Sequence, residues 1–124
     1  MVTAEAKSIP LAHSLSAATG KPYIVLRKSY KLYMGAAIRA ESVSITTGQP
    51  QTLILDEKDI PLLKGKRAAI VDDVISTGST LQGMKLITEK AGGEVVKEVA
   101  ILTEGDPSQW RDVLALGHLP LFTD

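Results

Sequence analysis

The chain is most constrained by an apolar segment that leads into two adjacent aspartates and a polar loop. Arg67 to Val71 has the composition of a buried strand, and Asp72-Asp73-Val74-Ile75-Ser76-Thr77-Gly78-Ser79-Thr80 connects it to a segment of helical periodicity. A strand joined by a short loop to a helix is the repeating unit of α/β folds. The sequence therefore predicts an α/β domain with polar groups gathered at the end of one strand.

Two helices are predicted from apolar residues that recur at helical spacing. Ser8 to Ala18 has Gly20 beyond its end, and Ser79 to Ala91 is followed by Gly92-Gly93. A further helix is predicted over Trp110 to Leu116. Each helix would pack its apolar face on the sheet that the strands form.

Extended segments are predicted at several other places. Tyr23 to Arg27 and Val95 to Leu102 are apolar and β-favouring, and Met1 to Ala4 is a short first strand. Ser42 to Leu55 is expected to form a hairpin around Thr47-Gly48-Gln49-Pro50. Because strands and helices alternate, the strands should pair in parallel through right-handed crossovers, with ligands bound beyond their carboxyl ends.

Composition limits the class of protein. The 124 residues, 44% of them hydrophobic, suffice for one core and are too few for two ordinary domains, so residues 1–124 are read as a single domain. Fourteen Lys and Arg residues balance fourteen Asp and Glu residues, which argues against nucleic acid or an anionic membrane as a partner. No segment approaches the roughly 20 apolar residues of a membrane-spanning helix. The absence of cysteine excludes disulfides and thiolate catalysis, and the protein is expected to be cytoplasmic.

The loop after the two aspartates has the chemistry of a sugar-phosphate site. Backbone N–H groups at the start of a helix attract a phosphate, the hydroxyls of Thr77, Ser79 and Thr80 can donate to it, and Gly78 lets the backbone approach closely. The carboxylates can accept hydrogen bonds from vicinal ribose hydroxyls. A helix cap is the simpler alternative, because Ser, Thr and Asp satisfy free N–H groups there, but a cap needs only one or two of these residues.

The ten residues Val71 to Thr80 resemble the signature of type I phosphoribosyltransferases that binds 5-phosphoribosyl-1-pyrophosphate (PRPP). The resemblance implies that family's α/β fold, a mostly parallel central sheet flanked by helices, with a β-hairpin over the active site. It also implies that Asp72 and Asp73 hold the ribose hydroxyls. The 5′-phosphate is assigned to the residues that follow, Ser76, Thr77, Gly78, Ser79 and Thr80. Ser79 stands where a second glycine is usual, and Ser76 stands where hypoxanthine-guanine enzymes carry an acid, which favours the adenine-specific branch.

Two other segments resemble pyrophosphate-binding loops of the adenine phosphoribosyltransferases. Ala4-Glu5-Ala6-Lys7-Ser8 is similar to a loop with an acid, a small residue, a basic residue and a glycine, although lysine and serine replace the usual arginine and glycine. Arg27-Lys28-Ser29-Tyr30-Lys31 is similar to an Arg-Lys-x-x-Lys stretch. Pyrophosphate is therefore assigned to Glu5, Ala6, Lys7, Ser8, Arg27, Lys28 and Lys31. The residues alone also fit a polar helix cap and a solvated loop.

The sequence departs from the adenine enzymes in two ways. Those enzymes carry a glutamate followed by tyrosine and glycine in the segment over the reacting centre, whereas this chain has Thr46-Thr47-Gly48 there and Glu41 several residues earlier. Their N-terminal hood, which stacks on the base, is not found ahead of Met1 to Ala4, so a core that is short at its N-terminus is expected. The candidate aromatic residues for a base are Tyr23, Tyr30 and Tyr33.

The resemblance implies transfer of the phosphoribosyl group from PRPP to a purine base, expected to be adenine, in purine salvage. Catalysis is assigned to Asp72, Asp73, Arg27 and Lys7, with Mg²⁺ as the cofactor. The ion should be held mainly by substrate oxygens and water rather than by a protein cage. A homodimer is a further expectation, because a short central strand would leave apolar surface to cover.

The competing hypothesis is a non-catalytic regulatory protein that binds PRPP or a nucleotide. A dinucleotide-binding domain is excluded, because no Gly-x-Gly-x-x-Gly follows a strand. His13 and His118 are expected to be surface or packing residues rather than ligands.

Overall fold

The computed structural model describes residues 1–43, 50–75 and 78–119. Strands and helices alternate along these residues. In chain order they are β1 (Val2–Ala4), α1 (Ile9–Thr19), β2 (Ile24–Leu26), β3 (Ile38–Val43), β4 (Pro50–Leu55), α2 (Ile60–Leu63), β5 (Arg67–Ile75), α3 (Ser79–Lys90), β6 (Glu94–Glu104) and β7 (Val113–Leu119). Short 3-10 helices lie at Leu32–Met34, Glu57–Asp59 and Pro107–Trp110.

The central sheet has five strands in the order β2-β1-β5-β6-β7, and every pairing is parallel. Helix α1 leads from β1 to β2, and α3 leads from β5 to β6. The chain therefore winds outward in one direction from β1 and in the other from β5. The loops that follow these two neighbouring strands separate at this reversal, which is where parallel α/β sheets bind their ligands.

The core lies where α3 packs against the sheet and the hairpin. Leu81, Met84 and Ile87, spaced by three along α3, are all buried, as the helical periodicity predicted. Ile70 at the centre of β5 is fully buried beneath them. Gly20 ends α1 in the left-handed conformation, and its N–H donates to the carbonyl of Ser16 at 2.9 Å.

Strands β3 and β4 form the expected antiparallel hairpin, but its first strand begins at Ile38 rather than at Ser42. The predicted turn at Thr47, Gly48 and Gln49 lies outside the described residues. Arg27, just after β2, exchanges two backbone hydrogen bonds with Ile54 of β4, at 2.9 and 2.8 Å. The hairpin also packs against α3 and is therefore fixed beside the carboxyl end of the sheet.

One predicted element type and one predicted strand boundary were wrong. The helix expected over Trp110 to Leu116 is the end of a 3-10 helix followed by strand β7. Leu114 and Leu116 are exposed while Ala115 between them is partly buried, so the apolar residues follow the two-residue period of a strand. Strand β5 continues past Val71 to Ile75, because β6 is long enough to pair with it there.

None of the helices in residues 1–43, 50–75 and 78–119 combines the length and the apolar character needed to cross a membrane.

Candidate functional site

Three segments meet at the carboxyl edge of the sheet, on either side of the reversal in strand order. The loop after β1 contacts the end of β2, because the carboxylate of Glu5 lies 3.3 Å from Arg27 Nη1 and accepts a 2.6 Å hydrogen bond from the backbone N–H of Lys28. The third segment is the end of β5, where the charge of Lys7 acts on Asp73. The fold thus brings the predicted pyrophosphate and ribose segments together.

The two aspartates lie inside the last part of β5 rather than after it, and both are partly buried. The backbone N–H of Asp73 donates to Asp72 Oδ1 at 2.8 Å. Burial raises the pKa of Asp72 to about 7, and the side-chain hydrogen bond with Asp73 adds to this rise. Burial also acts to raise the pKa of Asp73, but hydrogen bonds from the Asp72 side chain and from backbone N–H groups outweigh it and lower that pKa. At pH values between the two pKa values the pair therefore holds one proton, which is about half dissociated near pH 7.

Helix α3 begins at Ser79, within the predicted phosphate-binding segment, and a helix N-terminus favours an anion. Gly78, the residue before the helix, has φ +85°, a left-handed conformation that favours glycine, and its carbonyl accepts from the N–H of Gln82 at 2.9 Å. Ser79 is buried. Thr80 is partly buried, and its Oγ1 donates to Gln51 Oε1 of the hairpin at 3.2 Å. Ser76 and Thr77 lie outside the described residues.

A cavity of about 290 Å³ separates the hairpin from the end of β2 and the start of α3. Its lining contains one cation, one amide and two hydroxyls beside a leucine, and these residues are Lys28, Gln51, Thr52, Leu53 and Thr80. Gln51 and Thr52 were not predicted as site residues. The sequence around Gln51 and Thr52 reads only as a strand and gives no sign of a binding site. The packing of the hairpin is what brings these two residues close to Thr80.

The residues assigned to pyrophosphate differ in what their side chains can reach. Ala6 and Lys7 are exposed, and the peptide bond between Glu5 and Ala6 is cis. Ser8 is buried, and its hydroxyl lies 2.7 Å from Thr3 Oγ1 and 2.8 Å from the carbonyl of Ala4, so only its backbone could face a ligand. Lys31 is exposed at the start of the 3-10 helix Leu32–Met34, where its carbonyl accepts from the N–H of Met34.

Trp110 is a further residue at this edge, and nothing in the sequence pattern assigned it to the site. Its ring packs against Gly78, and its Nε1–H donates to the carbonyl of Glu104 at 2.8 Å. His118 joins the same loop, because Nδ1 contacts Thr103 Oγ1 and Nε2 contacts the carbonyl of Gly105, each at 2.8 Å. These bonds fix the segment between β6 and β7, and Trp110 places that segment against Gly78.

The three tyrosines occupy different places. Tyr23 precedes β2 and therefore lies at the opposite, amino edge of the sheet, where its ring packs edge-on against His13. The Tyr30 hydroxyl donates to the carbonyl of Gly35 at 2.7 Å. The guanidinium carbon of Arg39 lies over the Tyr30 ring, 4.6 Å from its centroid. Tyr33 is 76% exposed. Tyr23 nevertheless lines one cavity together with Arg27 and Tyr33.

Within the described ranges, no group of three or more His, Cys, Asp or Glu side chains is arranged to hold a metal ion.

Known proteins support the family that these features suggest. A family model described as "Phosphoribosyl transferase domain" matches residues 2–115. A hypoxanthine/guanine phosphoribosyltransferase of Methanococcus voltae is 39% identical over 86% of this chain and 53% of its own length, and one of Methanotorris igneus is 39% identical over 86% and 54%. The chain therefore spans about half the length of the curated relatives it matches.

Solved structures agree on the fold. An adenine phosphoribosyltransferase from Thermoanaerobacter pseudethanolicus superposes with a TM-score of 0.81 and 22% identity, over 95% of this chain and 69% of the other. One from Rhodothermus marinus gives 0.79 and 25%, over 95% and 68%. Since the family model matches nearly the whole chain and the curated relatives exceed 30% identity across most of it, this chain belongs to the phosphoribosyltransferase domain family.

Proposed function

We propose that the protein transfers the 5-phosphoribosyl group from PRPP to a purine base and releases pyrophosphate. The observation that carries the proposal is the meeting of paired acids, a helix N-terminus and cationic loops at the reversal in strand order. Each matches one part of PRPP, in the order ribose, 5′-phosphate and pyrophosphate. A ribose-phosphate binder alone would have no use for the third part.

Asp72 and Asp73 would hold the two ribose hydroxyls. Asp72, whose raised pKa keeps it partly protonated near pH 7, can donate as well as accept, and Asp73, whose pKa is lowered, accepts. Because neither aspartate is fully exposed, these hydrogen bonds form in partial exclusion of water and fix the sugar in one orientation. The backbone N–H groups at Ser79 and Thr80 would hold the 5′-phosphate.

The leaving pyrophosphate would lie against Lys7, Arg27 and the backbone at Lys28. Its negative charge increases as its bond to the ribose breaks, so fixed cations stabilise the transition state more than the bound substrate. Mg²⁺ would arrive with PRPP and be held mainly by substrate oxygens and water, because this ion prefers oxygen ligands and usually keeps several of its waters. When bound, it supplies further neutralisation of the pyrophosphate charge.

The base is the finer part of the proposal. Adenine is expected from the absence of an acid at Ser76, and adenine enzymes share the fold. Hypoxanthine and guanine are the bases named for the relatives with the higher sequence identity. A direct competition of the three bases for PRPP decides between them. Adenine as the preferred substrate supports the expectation, and preference for either 6-oxopurine overturns it.

The regulatory alternative rests on Thr46 and Thr47, which stand where adenine enzymes carry a catalytic glutamate and tyrosine. Both positions lie outside the described residues. Such a protein would bind PRPP and release no pyrophosphate when a base is added. The pyrophosphate loops favour the enzyme, because a regulator that reads only the ribose 5-phosphate needs neither Lys7 nor Arg27.

Self-association and a cytoplasmic location complete the proposal. Leu114 is 58% exposed and Leu116 is 89% exposed on the edge strand β7, so this strand offers apolar surface that a second copy could cover. Light scattering at micromolar concentration should give the mass of a dimer. A monomer mass would contradict it.

The test of the proposed function is titration of the protein with PRPP, with and without Mg²⁺, followed by each purine in the same cell. Mg²⁺-dependent binding of PRPP, with pyrophosphate released when a purine is added, supports the transferase. Binding of PRPP without release of pyrophosphate on addition of any purine supports the regulatory protein. No heat with PRPP would refute the transferase and a regulatory protein that binds PRPP, and would leave only the regulatory protein that binds a nucleotide.

A further inference from the structure

We infer that Glu5 is a positioning residue, whose carboxylate holds the Arg27 side chain and the backbone of Lys28 in place for pyrophosphate without binding pyrophosphate itself. This inference rests on the proposed function and changes the role that the resemblance assigned to Glu5. The acid Glu5, in the loop after β1, would thus support a cationic site whose cations lie after β2.

The geometry around Glu5 uses both carboxylate oxygens. Oε1 accepts a short 2.6 Å hydrogen bond from the backbone N–H of Lys28, and Oε2 lies 3.3 Å from Arg27 Nη1. The Glu5 side chain is 26% exposed and that of Arg27 is 46% exposed. The backbone of Glu5 is fixed as well, because its N–H donates to the carbonyl of Leu26 at 3.0 Å. The loop after β1 is thereby joined to the end of β2 by three contacts.

Glu5 is chemically unsuited to bind pyrophosphate directly. A carboxylate and a pyrophosphate both accept hydrogen bonds, and each carries negative charge, so direct contact would be repulsive. The acid must therefore act through a cationic or N–H group. Arg27 and the Lys28 backbone are the two such groups that it contacts.

Arg27 remains able to bind a ligand while it contacts Glu5. A guanidinium has five N–H donors, and the contact with Glu5 engages the Nη1 end alone. Among the described residues Nε and Nη2 have no hydrogen-bond partner, and they present donors to phosphate oxygens in the planar arrangement that suits them. The backbone of Arg27 is already held by Ile54, so the side chain is the part whose freedom Glu5 restricts.

Restricting the side chain should favour binding, because an exposed arginine otherwise loses rotamer freedom when it orders on a ligand. Because Glu5 already orders the Arg27 side chain in the folded protein, this entropy is lost on folding rather than on ligand binding. Glu5 also offsets the mutual repulsion of the adjacent Arg27 and Lys28 side chains in the empty site. The net effect expected is tighter binding of the pyrophosphate part of PRPP, despite the added negative charge.

The variant Glu5→Gln tests this, since glutamine keeps the size and can still accept from the Lys28 N–H but lacks the charge that attracts Arg27. Calorimetry should show roughly a twofold to fivefold loss of affinity for PRPP and for pyrophosphate, the range expected of a partly exposed ion pair. Affinity for ribose 5-phosphate, which has no pyrophosphate, should stay unchanged. Glu94→Gln is the matched control, because it removes one exposed acid at the amino end of β6, far from the site.

A second background separates positioning from a general charge effect. In the Arg27→Met background, the further change Glu5→Gln should no longer lower the affinity for pyrophosphate, because the side chain that Glu5 positions is absent. Equal or tighter pyrophosphate binding by Glu5→Gln alone would overturn the inference, since loss of repulsion would then outweigh loss of positioning.

A ligand-free measurement keeps the inference distinct from the proposed function. The NMR order parameter of the Arg27 Nε–H group should fall in Glu5→Gln and stay unchanged in Glu94→Gln. If the wild-type protein binds no PRPP, the proposed transferase fails, and an unchanged Arg27 order parameter would in addition show that Glu5 positions nothing.

Discussion

The indole of Trp110 packs over Gly78, so closely that a Cβ added to Gly78 would lie 3.1 Å from Trp110 Cη2. Gly78 precedes helix α3 with φ +85°, and Trp110 lies in the segment between β6 and β7. Position 78 therefore favours glycine for two reasons, its left-handed backbone and the aromatic ring that covers it. The ring belongs to a segment that is distant from Gly78 in sequence.

The variant Gly78→Ala should lower the free energy of unfolding by about 2 kcal/mol, because a left-handed alanine costs about 1 kcal/mol and contact with the indole adds to it. Gly20→Ala is the control, since Gly20 has φ +71° but nothing within 4 Å of an added Cβ. Chemical denaturation should show the larger loss at Gly78. Equal losses at both positions would mean that Trp110 makes no energetic difference.

Replacing both acids, Asp72→Asn with Asp73→Asn, should abolish PRPP binding. Asparagine can donate and accept, but it cannot supply the negative charge that strengthens hydrogen bonds from the ribose hydroxyls. Calorimetry with PRPP measures the effect, and circular dichroism confirms that the fold is retained. Unchanged affinity in a folded double variant would remove the ribose assignment.

Stability should fall as the pH rises between about 4 and 7. The pKa of Asp72 is raised from its ordinary 3.8 to about 7, so the unfolded chain releases this proton near pH 4 while the folded protein retains it to about pH 7. The folded state binds more protons than the unfolded state throughout that window. Each rise of one pH unit therefore lowers the free energy of unfolding. The lowered pKa of Asp73 acts below pH 4, and its stabilising effect is already complete within the window.

Asp72→Asn isolates this effect. Its free energy of unfolding should rise relative to wild type by on the order of 1 kcal/mol between pH 4 and pH 7, well short of the full shift because Asp72 is partly solvated and shares its proton with Asp73. Urea titrations at several pH values measure the difference. A difference that is constant with pH would show that Asp72 ionises in the folded protein as it does in the unfolded chain.

Gln51→Ala should strengthen binding of ribose 5-phosphate, by roughly twofold to fivefold. The hydroxyl of Thr80 has one proton, and in the empty site it donates that proton to Gln51 Oε1. A phosphate only accepts hydrogen bonds, so it must compete with Gln51 for the same proton. Thr80→Val should weaken binding in the wild-type and Gln51→Ala backgrounds alike. Weaker binding by Gln51→Ala would mean that Gln51 contacts the ligand itself.

Local patterns in the sequence determined the parts of the protein that depend on neighbouring residues. The strand that begins at Arg67, the glycine before α3 and the buried face of Leu81, Met84 and Ile87 are all confirmed, because strand, cap and helix each follow from residues within a few positions. The parallel pairing followed from the alternation of elements. The resemblance at Val71 to Thr80 identified the family for the same local reason.

Tertiary structure alone decided the contacts between residues distant in the chain. Strand β7 was predicted to be a helix because its extended form depends on pairing with β6. The inward hydroxyl of Ser8, the pairing of Glu5 with Arg27 and the cover of Trp110 on Gly78 join segments from 5 to more than 30 positions apart, for which a single sequence contains no periodic signal. The sequence thus determined which chemical groups are available for the proposed site, and packing determined which of them are exposed and which are engaged with other residues.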